Sequence, residues 1–309
     1  MSKIIEKVKS SQVYRKISYF FKLIKIPGLN GLSLYELTKI YIEGIINGTL
    51  TARAGSISFS FFMALFPFLL FILNLIPFIP IDDLDTIVFN FIELLLPKET
   101  HLFFSDIFLD IQSQQRKGLL SSVFILSIFL TANGVNSIFI SFEESYNVEL
   151  TRNFFKQYFL SVCVGILLGL FLLFAVVVFI YYEIYILQNL KTFLPNEINS
   201  IRLGQTFFFI LLTYFSISIL YYFGTLEGKI QKFFSPGALM TTLLIVISAY
   251  VFGVYIEKFS NYNQLYGSIG ALLIFMLFCW INSILLLLGF ELNASLNKLK
   301  NQSSLKNKL

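Results

Sequence analysis

The side chains able to do chemistry are few and unusually placed. The chain holds one histidine, His101, and two cysteines, Cys163 and Cys279, both deep inside apolar runs. One His and two buried Cys cannot build an ordinary zinc site, and no metal or other cofactor is expected. A structural disulfide is equally unexpected within a bilayer, so both thiols read as small apolar filler. HExxH, CxxC, the Walker A loop, GxGxxG and GxSxG are all absent. What remains are amides in apolar surroundings: Asn74, Asn133, Asn136 and Asn282. Asn133 and Asn136 stand at i and i+3 and share one helix face, with Ser127, Thr131 and Ser137 nearby. An unpartnered amide in hydrocarbon costs several kcal/mol, so these side chains must face protein or water. They could line a path for a polar solute. They could equally bond across helix seams, at roughly 0.6–2 kcal/mol each.

The elements that carry these amides are long and apolar. Of 309 residues, 56% are hydrophobic, 13% are charged and 37 are Phe. A soluble domain carries about a quarter charged residues, so a disordered chain, a disulfide scaffold and an ordinary cytosolic enzyme are excluded. About 20 apolar residues cross a bilayer as helix. Six stretches qualify: Ser56–Ile79, Leu119–Ser141, Tyr158–Tyr182, Leu203–Phe223, Pro236–Ile256 and Ile269–Phe290. None has a Lys, Arg, Asp or Glu in its interior. The fold class is therefore all-α: a polytopic membrane protein with six transmembrane helices.

Charge orients it. The segments before span one, between spans two and three and between four and five, plus the tail, hold 17 of the 23 Lys and Arg; the opposite side holds 6. Both termini are expected in the cytoplasm of a bacterial inner membrane. The basic side suits anionic lipids. No carboxylate lies at mid-membrane, which disfavours proton coupling of the usual kind.

Residues 1–55 read as cytoplasmic basic interfacial helices. Val13, Ile17, Phe20, Phe21 and Ile24 mark one apolar stripe, which Pro27-Gly28 ends. A capping box, Ser33-x-x-Glu36, opens a second helix over Leu37, Ile40 and Tyr41. Lipid attraction of about 1 kcal/mol per basic residue accounts for this pattern without nucleic acid. Between spans one and two, residues 81–118 carry two further amphipathic stripes, split by Pro97, that would cap the outer face as a lid or a packing hairpin. The tail 291–309 reads as largely disordered. Pro67 interrupts span one, Ser235 caps span five with Pro236 as its first residue, and Gly165-x-x-x-Gly169 would allow a homo-oligomer.

Several motifs resemble the YihY/BrkB family of bacterial inner-membrane proteins, over roughly residues 40–296. They are Pro236-Gly237-Ala238, Tyr266-Gly267-Ser268-Ile269-Gly270-Ala271, Trp280 and Gly289-Phe290-Glu291-Leu292-Asn293-Ala294; Asn133-Gly134 with Asn147-Val148-Glu149 and Arg152; and Ala52, Ala54, Ser58-Phe59 with Phe66-Pro67. The resemblance implies six spans with both ends inside. It points to Glu149 with Arg152 as an inner feature and Tyr266-Gly267 as an outer one. The family once carried the label ribonuclease BN, but the residues supply neither a metal cluster nor an acid–base pair for phosphodiester chemistry. Two expectations remain: a permease or exporter lined by the asparagines of spans one, two and six, or an envelope scaffold in which they serve only as helix glue.

Overall fold

The computed structural model describes residues 33–47, 49–75, 120–145, 147–148, 151–182, 198–226, 233–258 and 268–306, with 89 and 105 singly. The stripe over 13–24, the lid over 81–118, Glu149 and Tyr266-Gly267 lie outside the described residues.

Among the described residues seven helices follow one another: α1 Leu34–Asn47, α2 Leu50–Leu75, α3 Leu120–Glu143, α4 Phe154–Tyr181, α5 Ile198–Gly224, α6 Pro236–Lys258 and α7 Ser268–Lys306. Among the described residues, α3 to α7 each contain a stretch long and apolar enough to cross a membrane; the qualifying part of α2, Leu50–Leu65, is shorter. Capping sets the starts. The Ser33 amide donates to Glu36 Oε2 at 2.9 Å and the Glu36 amide donates back to Ser33 Oγ at 3.4 Å, which closes the box that opens α1. The Ala238 amide donates to Ser235 Oγ at 3.2 Å, so Ser235 caps α6 and Pro236 takes the position where a missing N–H costs nothing.

Helices α2 to α7 close into a ring in which the neighbours are α4, α3, α2, α7, α6, α5 and α4 again, while α1 packs on α7. The core is concentrated at one end. Ala54 and Ile57 of α2, Phe139 and Phe142 of α3, Leu220 and Tyr221 of α5, Ala238 of α6 and Leu287, Phe290 and Ala294 of α7 meet there. Phe142 and Phe290 stack at 4.1 Å with an interplanar angle of 4°, and Tyr221 meets both edge-on. This is the end where Arg53 and Glu291 lie. Elsewhere the helices present large apolar side chains outward, among them Phe59, Phe129, Phe159, Leu170 and Tyr250, as a surface bathed in lipid would.

Two expectations need correction. Helix α2 begins at Leu50, not Ser56, which brings Arg53 into the bundle. The tail is not disordered from 291: α7 continues to Lys306. The reason is packing. Ala294 belongs to the core cluster, Ser295 is buried against Asn147, Leu299 is buried too, and α1 packs on α7, so the extension has partners that its polar composition conceals.

Glycine sets the closest approach. A Cβ on Gly237 would strike the Gly289 carbonyl and Asn293, and one on Gly289 would strike Thr241 Oγ1, the Gly237 carbonyl and the Tyr221 hydroxyl. A Cβ on Gly165 would sit 3.4 Å from the Ala132 amide, whereas Gly169 and Gly253 have nothing within 4 Å. Gly289→Ala should therefore lower the melting temperature of the purified protein, by overpacking of about 1–3 kcal/mol. Gly253→Ala should leave it unchanged. Equal melting temperatures for the two variants would contradict this packing.

Candidate functional site

At the Arg53 end, charges are drawn out of water. Arg53 stands one turn into α2, and Glu291 lies on α7 just past the apolar run. Their side chains pair at 3.3 Å with relative exposures of 2% and 0%. Both terminal guanidinium nitrogens of Arg53 donate to Glu291 Oε1 at 3.3 Å. The other carboxylate oxygen accepts from Asn147 Nδ2 at 3.4 Å, and the same amide also donates to Ser295 Oγ at 3.2 Å. Lys298 Nζ completes the chain by donating to Asn147 Oδ1 at 3.3 Å. Three separate pieces of chain thus converge on one carboxylate: α2, α7 and the turn between α3 and α4.

These bonds are long beside the roughly 2.7–2.9 Å of tight charge-assisted contacts. Desolvation costs several kcal/mol per ion, and a buried pair often recovers no more than that. The cluster therefore does little for net stability but fixes which side chains face each other. Tyr41 of α1 belongs to the same locality. Burial first, and then the Glu291 charge, push its hydroxyl above the usual tyrosine range, so it stays neutral beside the carboxylate.

Two further clamps flank the pair. Asn293 Oδ1 accepts from the Gly237 amide at 2.8 Å, and Asn293 Nδ2 donates to Ser235 Oγ at 2.8 Å. The start of α6 is thereby pinned to α7. Arg152 Nη1 donates to the Gly224 carbonyl at 2.8 Å and lies 3.5 Å from Glu143 Oε1. A cation here meets the negative end of the α5 dipole. Burial lowers the Arg152 pKa and Glu143 raises it again.

The amides singled out in the sequence occupy two different seams. Asn133 Oδ1 accepts from Tyr158 at 3.2 Å and Asn136 Oδ1 from Ser161 at 3.3 Å, both between α3 and α4. Asn282 Oδ1 accepts from Ser248 at 3.2 Å between α6 and α7, and its Nδ2 donates within α7 to the Phe278 carbonyl at 2.8 Å. The Asn74 side chain lies outside the described residues. Pro67 sits within α2, and its carbonyl accepts from Ser127. Both cysteines are free, Cys279 buried and Cys163 exposed. Among the described residues no three His, Cys, Asp or Glu side chains come together to hold a metal ion.

Four of the motif positions, Pro236, Gly237, Gly289 and Glu291, thus come from two stretches that face each other across the α6–α7 contact. The family model of the virulence factor BrkB matches residues 42–308. The chain belongs to this family. BrkB relatives carry uninformative names. The ribonuclease-like protein YfkH of Bacillus subtilis (strain 168) is 28% identical over 254 residues, 81% of this chain and 90% of that protein. A UPF0761 membrane protein of Xanthomonas oryzae pv. oryzae (strain PXO99A) is 38% identical over 61 residues, 20% of this chain and 14% of its own length. The UPF0761 membrane protein XAC0937 of Xanthomonas axonopodis pv. citri (strain 306) is 34% identical over 67 residues, 22% of this chain and 16% of that one. The chain thus spans only about a seventh of these Xanthomonas proteins. No solved structure matches. BrkB proteins form a membrane-protein family, not a known enzyme family, and the word ribonuclease enters only through a relative's name.

Sequence reasoning missed Arg53, Asn147, Asn293 and Ser295 as site residues. One signal was present. Leu287, Glu291, Ala294, Ser295 and Lys298 continue a helical stripe past the apolar run. A double-mutant cycle checks the cluster. Arg53→Ala alone should cost about 3–5 kcal/mol by stranding a buried carboxylate. Arg53→Met with Glu291→Leu should cost clearly less than the two single changes together. Additive losses in thermal unfolding would show that the charges do not meet.

Proposed function

We propose that this BrkB-family chain is a six-span permease or exporter of the bacterial inner membrane, closed on its cytoplasmic side by the Arg53–Glu291 pair. The single observation that carries the reading is that pair: two buried opposite charges join the inner ends of α2 and α7. An ion pair of this kind contributes little net stability, yet it separates cleanly into two states, closed when paired and open when each charge is hydrated. The Lys and Arg distribution supports placing this end in the cytoplasm, and anionic lipids suit it. In this reading Asn133 and Asn136, with Asn74 and Asn282, meet the solute once the pair parts. The absence of a mid-membrane carboxylate from the sequence argues for passive or exchange-type movement of a polar solute.

A second reading has its own support. The amides of Asn133, Asn136 and Asn282 already have partners across helix seams, as expected of helix glue in an envelope scaffold.

Labelling with a membrane-impermeant maleimide separates the two. In a Cys163→Ala, Cys279→Ala background, single cysteines replace Asn133, Asn136 or Asn282, with lipid-facing Leu126 and Leu170 as controls. Labelling of position 136 from inverted vesicles should rise several-fold when Glu291→Gln is added, while the controls stay unlabelled. A core that remains unlabelled from both sides, with and without Glu291→Gln, would remove the permease reading and leave the scaffold.

A further inference from the structure

We propose that helix α1 is a strap, held over the Arg53–Glu291 pair by contact of its outer face with an anionic lipid surface. The inference rests on the reading of this pair as the cytoplasmic closure. It concerns what keeps the closure shut.

The two faces of α1 do different things. On one face Leu37 is buried and Tyr41 is half-buried, where α1 packs along α7. Tyr41 lies close enough to Glu291 to feel its charge. The buried Ser295 and Leu299 of α7 flank the same contact. On the other face Ile42 and Ile46, one turn apart, are 52% and 60% exposed. Lys39 and Glu43 are exposed beside them. A helix with protein on one side and a bare isoleucine pair on the other is built to meet a second apolar medium.

The joint with α2 transmits the position of α1. Thr49 immediately precedes α2, and its φ is 46°. That is left-handed backbone, which a β-branched residue rarely adopts and which persists only where its surroundings enforce it. The Thr49 carbonyl accepts from the amides of Ala52 and Arg53, at 3.1 and 3.3 Å. These are the first-turn bonds of α2, so the left-handed residue stands where the helix that carries Arg53 begins. If α1 lifts, Thr49 is released, and the first turn of α2 that aims Arg53 at Glu291 loses its anchor.

Charge identifies the surface. The 32 residues before Ser33 carry seven Lys and Arg and a single acidic residue, Glu6. Such a segment is drawn to a negatively charged leaflet and far less to a neutral one. The apolar pair then enters the boundary of that leaflet. An anionic bilayer supplies both components, the charge and the apolar boundary.

The test uses the full chain in lipid nanodiscs and reads the α1–α7 distance by pulsed electron paramagnetic resonance. Spin labels go on Glu43→Cys and Lys300→Cys in the Cys163→Ala, Cys279→Ala background. Discs are made of phosphatidylcholine alone or of phosphatidylcholine with phosphatidylglycerol. The expected result is one narrow distance in the anionic discs and a broad, longer distribution in the neutral ones. Ile42→Ser with Ile46→Ser should bring the broad distribution into the anionic discs. An identical narrow distance in both lipids, or a serine variant that stays closed in anionic discs, overturns the proposal. Maleimide labelling at position 136 in the same discs keeps the two readings apart. A strap that responds to lipid over a core that stays dry keeps the strap and removes the permease; a core that wets while the strap ignores lipid does the reverse.

Discussion

A carboxylate removed from water must be surrounded by donors, and Glu291 obliges the rest of the bundle to supply them. Arg53 has to enter from α2, so α2 must begin a turn earlier than its apolar run. Asn147 has to arrive from the turn after α3, so that turn must fold back toward α7. Helix α7 has to continue past the apolar run, because Ser295 and Lys298 complete the same chain of bonds through Asn147. The aromatic stack of Phe142 and Phe290 sits directly beside these groups and excludes water from them. A pair buried to this degree adds little to net stability. Parting the ends of α2 and α7 that carry Arg53 and Glu291 would leave both charges unpaired.

Close packing serves the same end. Gly237 and Gly289 let the backbones of α6 and α7 approach until Tyr221 and Thr241 share a hydrogen bond at 2.6 Å and Asn293 reaches the α6 cap. Small residues at a seam and hydroxyls across it are the usual means of joining helices in lipid, where apolar burial gives no drive. The seams hold the amides in pairs, and the inner end holds the charges. Family membership fixes the class of molecule without fixing its chemistry, since function resides in sites and not in folds.

Much of this was legible in the residues. Apolar run length indicated long apolar helices, though not the start of α2 or the end of α7, because the bilayer sets a minimum length that composition reveals directly. Ser33 with Glu36, and Ser235 with Pro236, announced two helix starts, since caps are local contacts between residues at most three apart. The pairing of Asn133 and Asn136 on one face followed from helical spacing alone. The family resemblance, carried by short motifs in matching order, named the family that the comparison with known proteins establishes.

The inner cluster was not legible, and the reason is geometric. Arg53 read as one basic residue among many before span one, and Glu291 as a motif position with no partner assigned, because 238 positions separate them and no local spacing marks which distant charge a carboxylate will meet. The polar extension of α7 read as solvated tail, since its partners, Asn147 among them, lie far away in the sequence. What the sequence determined by itself was the apolar length, the charge asymmetry and the caps, which are properties of single segments. Only the tertiary structure decided which segments adjoin, and hence that Arg53, Asn147 and Glu291 form one site: contact between segments depends on ring order and close approach, which no single segment encodes.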